Sequence, residues 1–172
     1  MLELAILGFL AEGPLHGYEL RQKVVQLSGY TRPVSDGTLY PAISRLVRDQ
    51  LLDRRAEKGK AAAQRNVLSL TASGRSDLEQ RLRQPASVDI TDFSRFATIL
   101  AFLALLPDRG ERDAVLRRRE QFLEQPASFF YDGDVPLRQQ DMTDPYREGL
   151  FVIAKATSGA ERRWLKQMLD QP

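Results

Sequence analysis

The spacing of apolar residues divides the first 50 positions into three short helices. Residues 2–10 are apolar on nearly every side, which predicts a first helix buried between other elements. Gly13-Pro14 ends it, and a second helix is predicted from about His16 to Leu27, ending at Ser28-Gly29. The positions of this second helix expected to face inward are Tyr18, Leu20, Val24 and Leu27.

A third helix is predicted to begin at Ser35 and to run to Arg48. Its apolar positions form one stripe, at spacings of four, three and one: Leu39, Ile43, Leu46 and Val47. We expect the Ser35 hydroxyl to accept a hydrogen bond from the backbone N–H of Gly37 or Thr38, and Asp36 to complement the helix dipole. The opposite side of this helix is polar and therefore free to contact a partner.

Two strands with a turn between them follow the third helix. They are predicted at Leu51 to Arg55 and Asn66 to Leu70, and Gly59 with its small neighbours suits an exposed turn. A fourth helix is predicted from Thr71 to about Gln84, before a linker or kink at Pro85-Ala86-Ser87. We therefore expect residues 1–84 to form a winged helix-turn-helix domain.

Residues 85–172 are predicted to be helical throughout. One helix opens at Thr91 or Asp92 and closes at Pro107, and the next begins with a capping box at Asp108 to Glu111 and runs to Pro126. A turn-rich segment precedes a last helix, which opens near Asp144-Pro145. The predicted fold class is thus mainly α with a small β-hairpin wing, and the second domain is α-helical.

Composition excludes several classes of function. The chain has 172 residues, no Cys and one His, so disulfides and thiolate metal sites are excluded and imidazole sites are disfavoured. Because it also lacks a glycine-rich phosphate loop, we expect no enzyme, cofactor or metal site. The longest uncharged run, Phe96 to Pro107, has 12 residues against the ~20 that a spanning helix needs. We expect a cytoplasmic protein without a membrane span.

Positive charge is concentrated in the first half of the chain. Residues 1–84 carry 13 Lys and Arg against 9 Asp and Glu, a net charge of +4, whereas residues 85–172 carry 12 against 14, a net of −2. The segment from Arg54 to Arg65 alone has five basic residues and one acid. This density suits a DNA phosphate backbone, with a solvated loop as the alternative. Lys58, Lys60 and Arg65 of the wing are expected to supply affinity rather than sequence choice.

The second helix of a helix-turn-helix lies in the DNA major groove. The third helix here begins with Ser35, Gly37 and Thr38, which are small enough to permit close approach. We expect Tyr40 to contact a phosphate, and Arg45 a phosphate or a guanine edge. The alternatives are a half-buried aromatic side chain for Tyr40, and a solvated helix face for Arg45 and Arg48.

Four ordered motifs carry a family resemblance. They are Leu4-Ala5-Ile6-Leu7-Gly8-Phe9-Leu10, Gly13-Pro14-Leu15-His16-Gly17-Tyr18-Glu19-Leu20, Ser35-Asp36-Gly37-Thr38-Leu39-Tyr40-Pro41-Ala42-Ile43-Ser44-Arg45-Leu46, and Leu68-Ser69-Leu70-Thr71-Ala72-Ser73-Gly74. Over about the first 80 residues the chain resembles the PadR family of bacterial transcriptional regulators.

The resemblance implies a winged-helix DNA-binding domain, a helical dimerisation domain at 85–172, repression of target promoters and, often, release by a small aromatic or drug-like effector. It implies that residues of the second helix, the third helix and the wing meet double-stranded operator DNA. These residues are Tyr18, Ser35, Gly37, Thr38, Tyr40, Arg45, Arg48, Lys58, Lys60 and Arg65. For His16 and Gly17 we expect structural roles, a helix cap and close packing. The chain departs from the family pattern at Gln64-Arg65-Asn66, just before the second wing strand.

The last helix, Tyr146 to Leu169, carries apolar residues that need a partner surface. We expect a homodimer through Leu150, Ile153, Thr157, Ala160, Trp164 and Met168. A two-fold dimer places two reading helices about one DNA turn, ~34 Å, apart. The alternative is that this helix packs only within its own chain.

Two further hypotheses concern partners. Phe129-Phe130-Tyr131 and Trp164 are candidates to line an effector pocket, because flat rings recognise flat ligands, although aromatic residues more often belong to a core. The alternative for the whole chain is a winged helix that serves as a protein-interaction adaptor without binding DNA.

Overall fold

Helix α1, Leu2–Glu12, packs against α2 (Gly17–Ser28), α3 (Asp36–Arg48) and α4 (Ala72–Arg83). Its buried residues are Leu4, Ala5, Ile6, Leu7, Gly8 and Leu10. A helix that is apolar all round is stable only when neighbours cover it on every side. The prediction of a buried first helix is confirmed.

This computed structural model describes residues 1–29, 35–58, 64–125 and 128–171, with the backbone alone at Ser28, Glu57, Lys58, Gln64 and Arg65. The chain divides into two compact units, Met1–Arg112 and Asp113–Pro172. Most of the connection predicted at Ser28 to Val34, and the wing loop around Gly59, lie outside the described residues.

A three-stranded antiparallel sheet completes the first half of the fold. Its strands are β1 (Leu15–His16), β2 (Leu52–Lys58) and β3 (Gln64–Leu70), in the order β1-β3-β2. The β2–β3 hairpin pairs Leu52 with Leu70 at its base and Arg54 with Leu68 further along. β1 was not predicted, because two residues are too few to show an alternating pattern. The element order α1-β1-α2-α3-β2-β3 is that of a winged helix, and the predicted fold class is confirmed.

The exit from α3 sets the direction in which the wing leaves the core. Gln50 has a φ of 60°, the Gln50 N–H donates to the Val47 carbonyl at 3.1 Å, and the Leu51 N–H donates to the Leu46 carbonyl at 2.9 Å. These two bonds with a left-handed residue between them form a Schellman motif, which ends the helix sharply.

Thr71 and Gly74 hold helix α4 against the segment that follows α3. The Thr71 hydroxyl accepts from the Gly74 N–H at 2.9 Å and lies within donating distance of the Gln50 and Leu51 carbonyls, at 2.8 and 3.0 Å. A Cβ on Gly74 would lie 2.0 Å from the Leu51 carbonyl oxygen. Only glycine allows α4 to approach the base of the wing this closely.

After α4 the chain enters the next helix earlier than predicted. The chain passes from Pro85-Ala86 directly into α5 (Ser87–Thr91) and then into α6 (Phe93–Phe102) and a 3-10 turn, Leu103–Leu105. As expected, Asp92 caps α6, its carboxylate accepting the Arg95 N–H at 3.0 Å. However, α6 ends at Phe102 rather than at Pro107. It packs on α1, where a Cβ on Gly8 would lie 2.5 Å from the Phe102 ring.

Helix α7, Arg109–Glu124, begins as predicted, with the Glu111 N–H donating to the Asp108 carboxylate at 2.9 Å. In the predicted capping box the Glu111 carboxylate would bond back to the Asp108 backbone N–H, but it accepts from Arg83 at 2.6 Å. The two compact units divide between Arg112 and Asp113, whereas the sequence indicated a division after residue 84. The assignment of residues 1–84 to DNA binding and 85–172 to dimerisation stays a prediction.

The second unit contains a small hairpin and a long helix. The hairpin pairs β4 (Tyr131–Asp132) with β5 (Val135–Pro136), a 3-10 turn follows at Gln139–Asp141, and α8 spans Pro145–Leu169. As predicted, Asp144 caps α8 by accepting the Tyr146 N–H at 2.8 Å. Within the described ranges, no helix has both the length and the apolar character that crossing a bilayer requires.

Candidate nucleic-acid interface

Helix α3 separates its residues into a buried side and an exposed side. Leu39, Ala42, Ile43 and Leu46 are buried and seat the helix against the core. The exposed residues of this helix include Gly37, Thr38, Tyr40, Ser44, Arg45 and Arg48. Tyr40 keeps 46% of its surface open to solvent, so it is a half-buried aromatic side chain that still has a surface available to a partner.

Ser35 occupies the N-cap position of α3, but its side chain makes no capping hydrogen bond. The Thr38 and Leu39 N–H groups donate to the Ser35 carbonyl, at 3.0 and 3.1 Å, and the Thr38 hydroxyl donates to the same oxygen at 2.9 Å. The prediction of a hydroxyl cap is therefore wrong, and the Thr38 N–H bonds to the Ser35 carbonyl rather than to its hydroxyl. Ser35 is exposed at the start of the helix.

Acidic side chains hold several of the basic residues at this surface. Arg45 bonds to Glu3 of α1 at 3.0 Å, and Arg48 bonds to its neighbour Asp49 at 3.0 Å. Arg21 of α2 pairs with Asp36 in the first turn of α3, and this hydrogen bond raises the pKa of Arg21. Asp36 thus complements the helix dipole as predicted and also ties the two helices together.

Tyr18 lies at the start of α2, with 51% of its surface exposed, so its prediction as an inward residue is wrong. Its ring stacks on the His16 ring at 5.7 Å between centroids, and its hydroxyl lies 3.3 Å from Glu19. The exposure agrees with the other expectation for Tyr18, contact with DNA.

The expected structural roles of His16 and Gly17 hold only in part. His16 is at the N-cap position and forms a capping box with Glu19, whose carboxylate accepts the His16 backbone N–H at 2.8 Å. A Cβ on Gly17 would come no closer than 3.8 Å to Tyr40, which is ordinary van der Waals contact. Packing therefore does not require glycine at this position.

The predicted wing residues fall at the edge of what the structure describes. Lys58 ends β2 and pairs with Gln64, and Arg65 pairs with Glu57, but the side chains of these residues lie outside the described part. Lys60 lies in the loop that the structure does not describe. The wing contacts predicted for these residues stay predictions.

A cleft of about 270 Å³ lies where α2, α3 and the sheet meet. Its lining residues are His16, Gly17, Tyr18, Tyr40, Ile43, Arg54, Asn66 and Leu68. Tyr18 and Tyr40 were predicted to meet DNA, Arg54 was named only as part of the basic segment Arg54 to Arg65, and Asn66 was not predicted to contact DNA. The register would have identified these two, since Arg54 pairs with Leu68 and Asn66 lies two residues before Leu68 on the same face.

Helix α8 exposes most of the residues predicted for dimerisation. Leu150, Ile153, Thr157, Ala160 and Trp164 are exposed, whereas Met168 is half-buried. With Tyr146, the exposed residues recur at spacings of four and three along one side of the helix. The adjoining side of the helix carries Leu165, which is fully buried, and Glu161, which pairs with the buried Arg119 of α7.

The aromatic residues predicted for an effector pocket do not gather in one place within the chain. Phe129 and Phe130 pack on Phe151 of α8, at 5.5 and 6.0 Å between ring centroids. Trp164 follows Phe151 by 13 residues on α8, a separation of about 20 Å at ~1.5 Å per residue. Tyr131 is 57% exposed on the β4–β5 hairpin.

Comparison with known proteins identifies the family. A model of the transcriptional regulator PadR-like family matches residues 6–80. A PadR-like transcription factor from Bacteroides fragilis is 31% identical, over 46% of this chain and 75% of that one, with a TM-score of 0.41. PadR from Bacillus subtilis, solved in complex with operator DNA, is 18% identical over 98% of each chain, with a TM-score of 0.49.

A relative from Streptomyces fradiae, an uncharacterized 37.1 kDa protein in a transposon, is 36% identical over 84 residues. That match covers 49% of this chain and 23% of the relative, so it spans less than a quarter of the longer protein. The family model covers most of the buried α1, the exposed α3 and the β2–β3 hairpin. Residues 6–80 of the chain thus belong to the PadR-like family of transcriptional regulators.

Proposed function

We propose that this regulator is a homodimer that binds operator DNA sequence-specifically through α3 and represses the promoters it occupies. The observation that carries the proposal is the division of α3 into a fully buried apolar side and an exposed polar side. Leu39 and Ile43 hold the helix rigidly, and Tyr40 and Arg45 project from the other side. A rigid helix with small residues at its start is what the major groove accepts.

The exposed residues divide by the contact that each can make. Tyr40 and Arg48 suit phosphate oxygens, which position the protein without reading sequence. Arg45 can form a bidentate contact with a guanine edge, and Thr38 can bond to a base edge. Ser35 and Gly37 allow the N-terminus of α3 to approach the backbone. Lys58, Lys60 and Arg65 would add phosphate contacts from the wing.

Dimerisation through α8 would place two DNA-binding domains on one operator. The exposed residues Leu150, Ile153, Thr157, Ala160 and Trp164 follow a heptad spacing, which favours pairing with a second helix. The Thr157 hydroxyl lies 2.9 Å from the Ile153 carbonyl of its own helix, so burial would leave no unsatisfied donor. Met168, which is half-buried, would lie at the edge of this surface.

Release by a small aromatic effector is the last part of the proposal. The Phe129 ring is 53% exposed beside Phe130 and Phe151, and the Arg147 guanidinium lies 5.1 Å from the centroid of the Phe130 ring. This cluster offers ring faces and a cation to a flat, acidic ligand. Because Trp164 lies elsewhere on α8, we leave it out of this site and assign it to the dimer surface.

The decisive experiment selects bound fragments from the host genome and titrates the protein against one of them at increasing salt. We expect nanomolar to micromolar binding whose logarithm falls linearly with log salt, by about 0.9 for each phosphate contact. A scrambled duplex of the same length should bind more weakly. Binding to no DNA, or binding without salt dependence, would contradict the proposal and favour the interaction adaptor.

A further inference from the structure

We propose that the cleft between α2, α3 and the sheet binds one phosphate group of the DNA backbone, with Arg54 and Asn66 as ligands. The proposal rests on the proposed function and adds a site to it. It assigns DNA contacts to two wing-strand residues on the core side of the hairpin.

The first argument is that one face of the hairpin changes from buried apolar residues to exposed polar ones. On the face that meets α3, Leu52 and Leu68 are buried, with 1% and 2% of their surface exposed. Further from the core the same face carries Arg54 and Asn66, both exposed. A strand presents alternate residues to one face, so this face passes from core to cleft without a break.

The second argument is the lack of counter-charge on Arg54. Of the side chains that the structure describes, no acidic group pairs with Arg54, whereas Arg21, Arg45 and Arg48 on the same surface each have a carboxylate partner. An arginine that already has an acidic partner must give it up to bind a phosphate. Arg54 can bind one without this loss.

The third argument comes from the opposite wall of the cleft. Helix α2 begins at this wall, and Gly17 places no side chain over its first backbone N–H groups. Such N–H groups attract anions.

Charge and position select the occupant. The cleft, of about 270 Å³, is lined by the Arg54 guanidinium and by the polar side chain of Asn66, which suit an anion. Tyr40 lines the cleft and also belongs to the exposed side of α3. When α3 lies in the major groove, the sugar-phosphate strand bordering that groove passes the cleft mouth.

The test compares Arg54→Gln with Arg55→Gln. The two arginines are adjacent on β2, both are exposed, and both variants remove one positive charge, but Arg55 pairs with Val67 on the other face of the hairpin. For Arg54→Gln we expect the slope of log binding constant against log salt to become shallower by about 0.9 for each DNA-binding domain. The affinity should fall about fivefold for each domain near 0.15 M salt. Arg55→Gln, which removes a charge outside the cleft, should lower the slope less. Equal effects of the two variants, or no effect of Arg54→Gln, would overturn the assignment of a phosphate site to the cleft. Operator binding by the wild type would still support the proposed function.

A second experiment locates the phosphate. Synthetic operators carrying a single neutral methylphosphonate linkage are titrated with wild type, Arg54→Gln and Asn66→Asp. We expect one linkage per half-site whose neutralisation weakens wild-type binding but has little further effect on Arg54→Gln, and Asn66→Asp should weaken binding to the unmodified duplex most. Effects of Arg54→Gln that add to those of every linkage would overturn the assignment. Displacement of the duplex by inorganic phosphate at fixed ionic strength would assign the cleft to a free phosphorylated ligand instead.

Discussion

Arg45 on α3 donates two hydrogen bonds to a single carboxylate oxygen of Glu3 on α1, from Nε at 3.2 Å and from Nη2 at 3.0 Å. The other oxygen of Glu3 accepts from Arg81 of α4 at 3.3 Å, and Arg81 pairs in turn with Asp77 at 2.7 Å. The arginine that we assign to base or phosphate recognition is therefore held by an acid that must be exchanged when DNA binds.

Removing this acid should strengthen DNA binding. Glu3→Gln takes away the charge that competes with phosphate for Arg45, and an exposed ion pair of this kind contributes about 1 kcal/mol or less. We expect operator affinity to rise by up to about fivefold. Arg45→Ala should lower operator affinity. In the Arg45→Ala background, Glu3→Gln should raise the affinity less than it does in the wild type. Fluorescence anisotropy on the four proteins gives the coupling, and additive effects would show that Glu3 does not act through Arg45.

The hydroxyl of Tyr40 should contribute to DNA binding without contributing to the fold. Tyr40→Phe keeps the ring and removes one hydrogen bond to phosphate, which lowers affinity by about tenfold if the bond contributes ~1.5 kcal/mol. Tyr131→Phe on the β4–β5 hairpin is the control, since Tyr131 is also exposed and lies outside the proposed DNA surface. Unchanged operator affinity in Tyr40→Phe would remove Tyr40 from the proposed contacts.

The dimer prediction is tested on two adjacent residues of α8. Ile153 and Val152 are both apolar and exposed, at 65% and 49%, but only Ile153 lies on the heptad line. Ile153→Asp buries a charge in the proposed interface and should give a monomer in sedimentation equilibrium, while Val152→Asp should stay dimeric. If wild type sediments as a monomer, or if both variants stay dimeric, α8 does not pair through this surface.

Gly74 should be irreplaceable for stability. In Gly74→Ala the new methyl would overlap the Leu51 carbonyl, so α4 must move away from the base of the wing and the free energy of unfolding should fall by several kcal/mol, about 3. Gly149→Ala is the control, because a Cβ at that helical position meets nothing within 4 Å. It should raise stability by about 0.5–1 kcal/mol. Urea denaturation followed by circular dichroism measures both, and equal midpoints would contradict the close approach.

For the buried ion pair between α7 and α8, removing one partner should destabilise the protein more than replacing both partners with apolar residues. Arg119 is 3% exposed and meets both carboxylate oxygens of Glu161, at 2.7 and 2.9 Å. Glu161→Ala leaves this guanidinium buried without its counter-charge and should destabilise the protein by about 3–5 kcal/mol. The double variant Arg119→Met, Glu161→Leu should lose much less. A larger loss in the double variant, measured as a lower Tm, would contradict this reasoning.

Local patterns in the sequence predicted the secondary structure well. The apolar stripe of α3, the caps at Asp92 and Asp144, and the all-round apolar α1 each follow from the residues of one element, and the structure agrees. The motifs also indicated a transcriptional regulator rather than an enzyme, which the family assignment confirms. The predictions that failed were of another kind. The burial of Tyr18 and the need for glycine at position 17 depended on what a neighbouring element placed beside the residue, whereas the hydroxyl cap of Ser35 failed within the first turn of α3 itself.

The sequence by itself determined the order of the helices and strands, the exposed polar side of α3 and the family, because periodicity, capping residues and motifs are local properties. Only the tertiary structure decided that Glu3 holds Arg45, 42 positions away, that Gly74 meets Leu51, and that Arg54 and Asn66 face His16 across one cleft. These relationships join residues that are distant in the chain. They arise from how α1, α4 and the sheet pack, and no local pattern encodes the distance between two side chains on different elements.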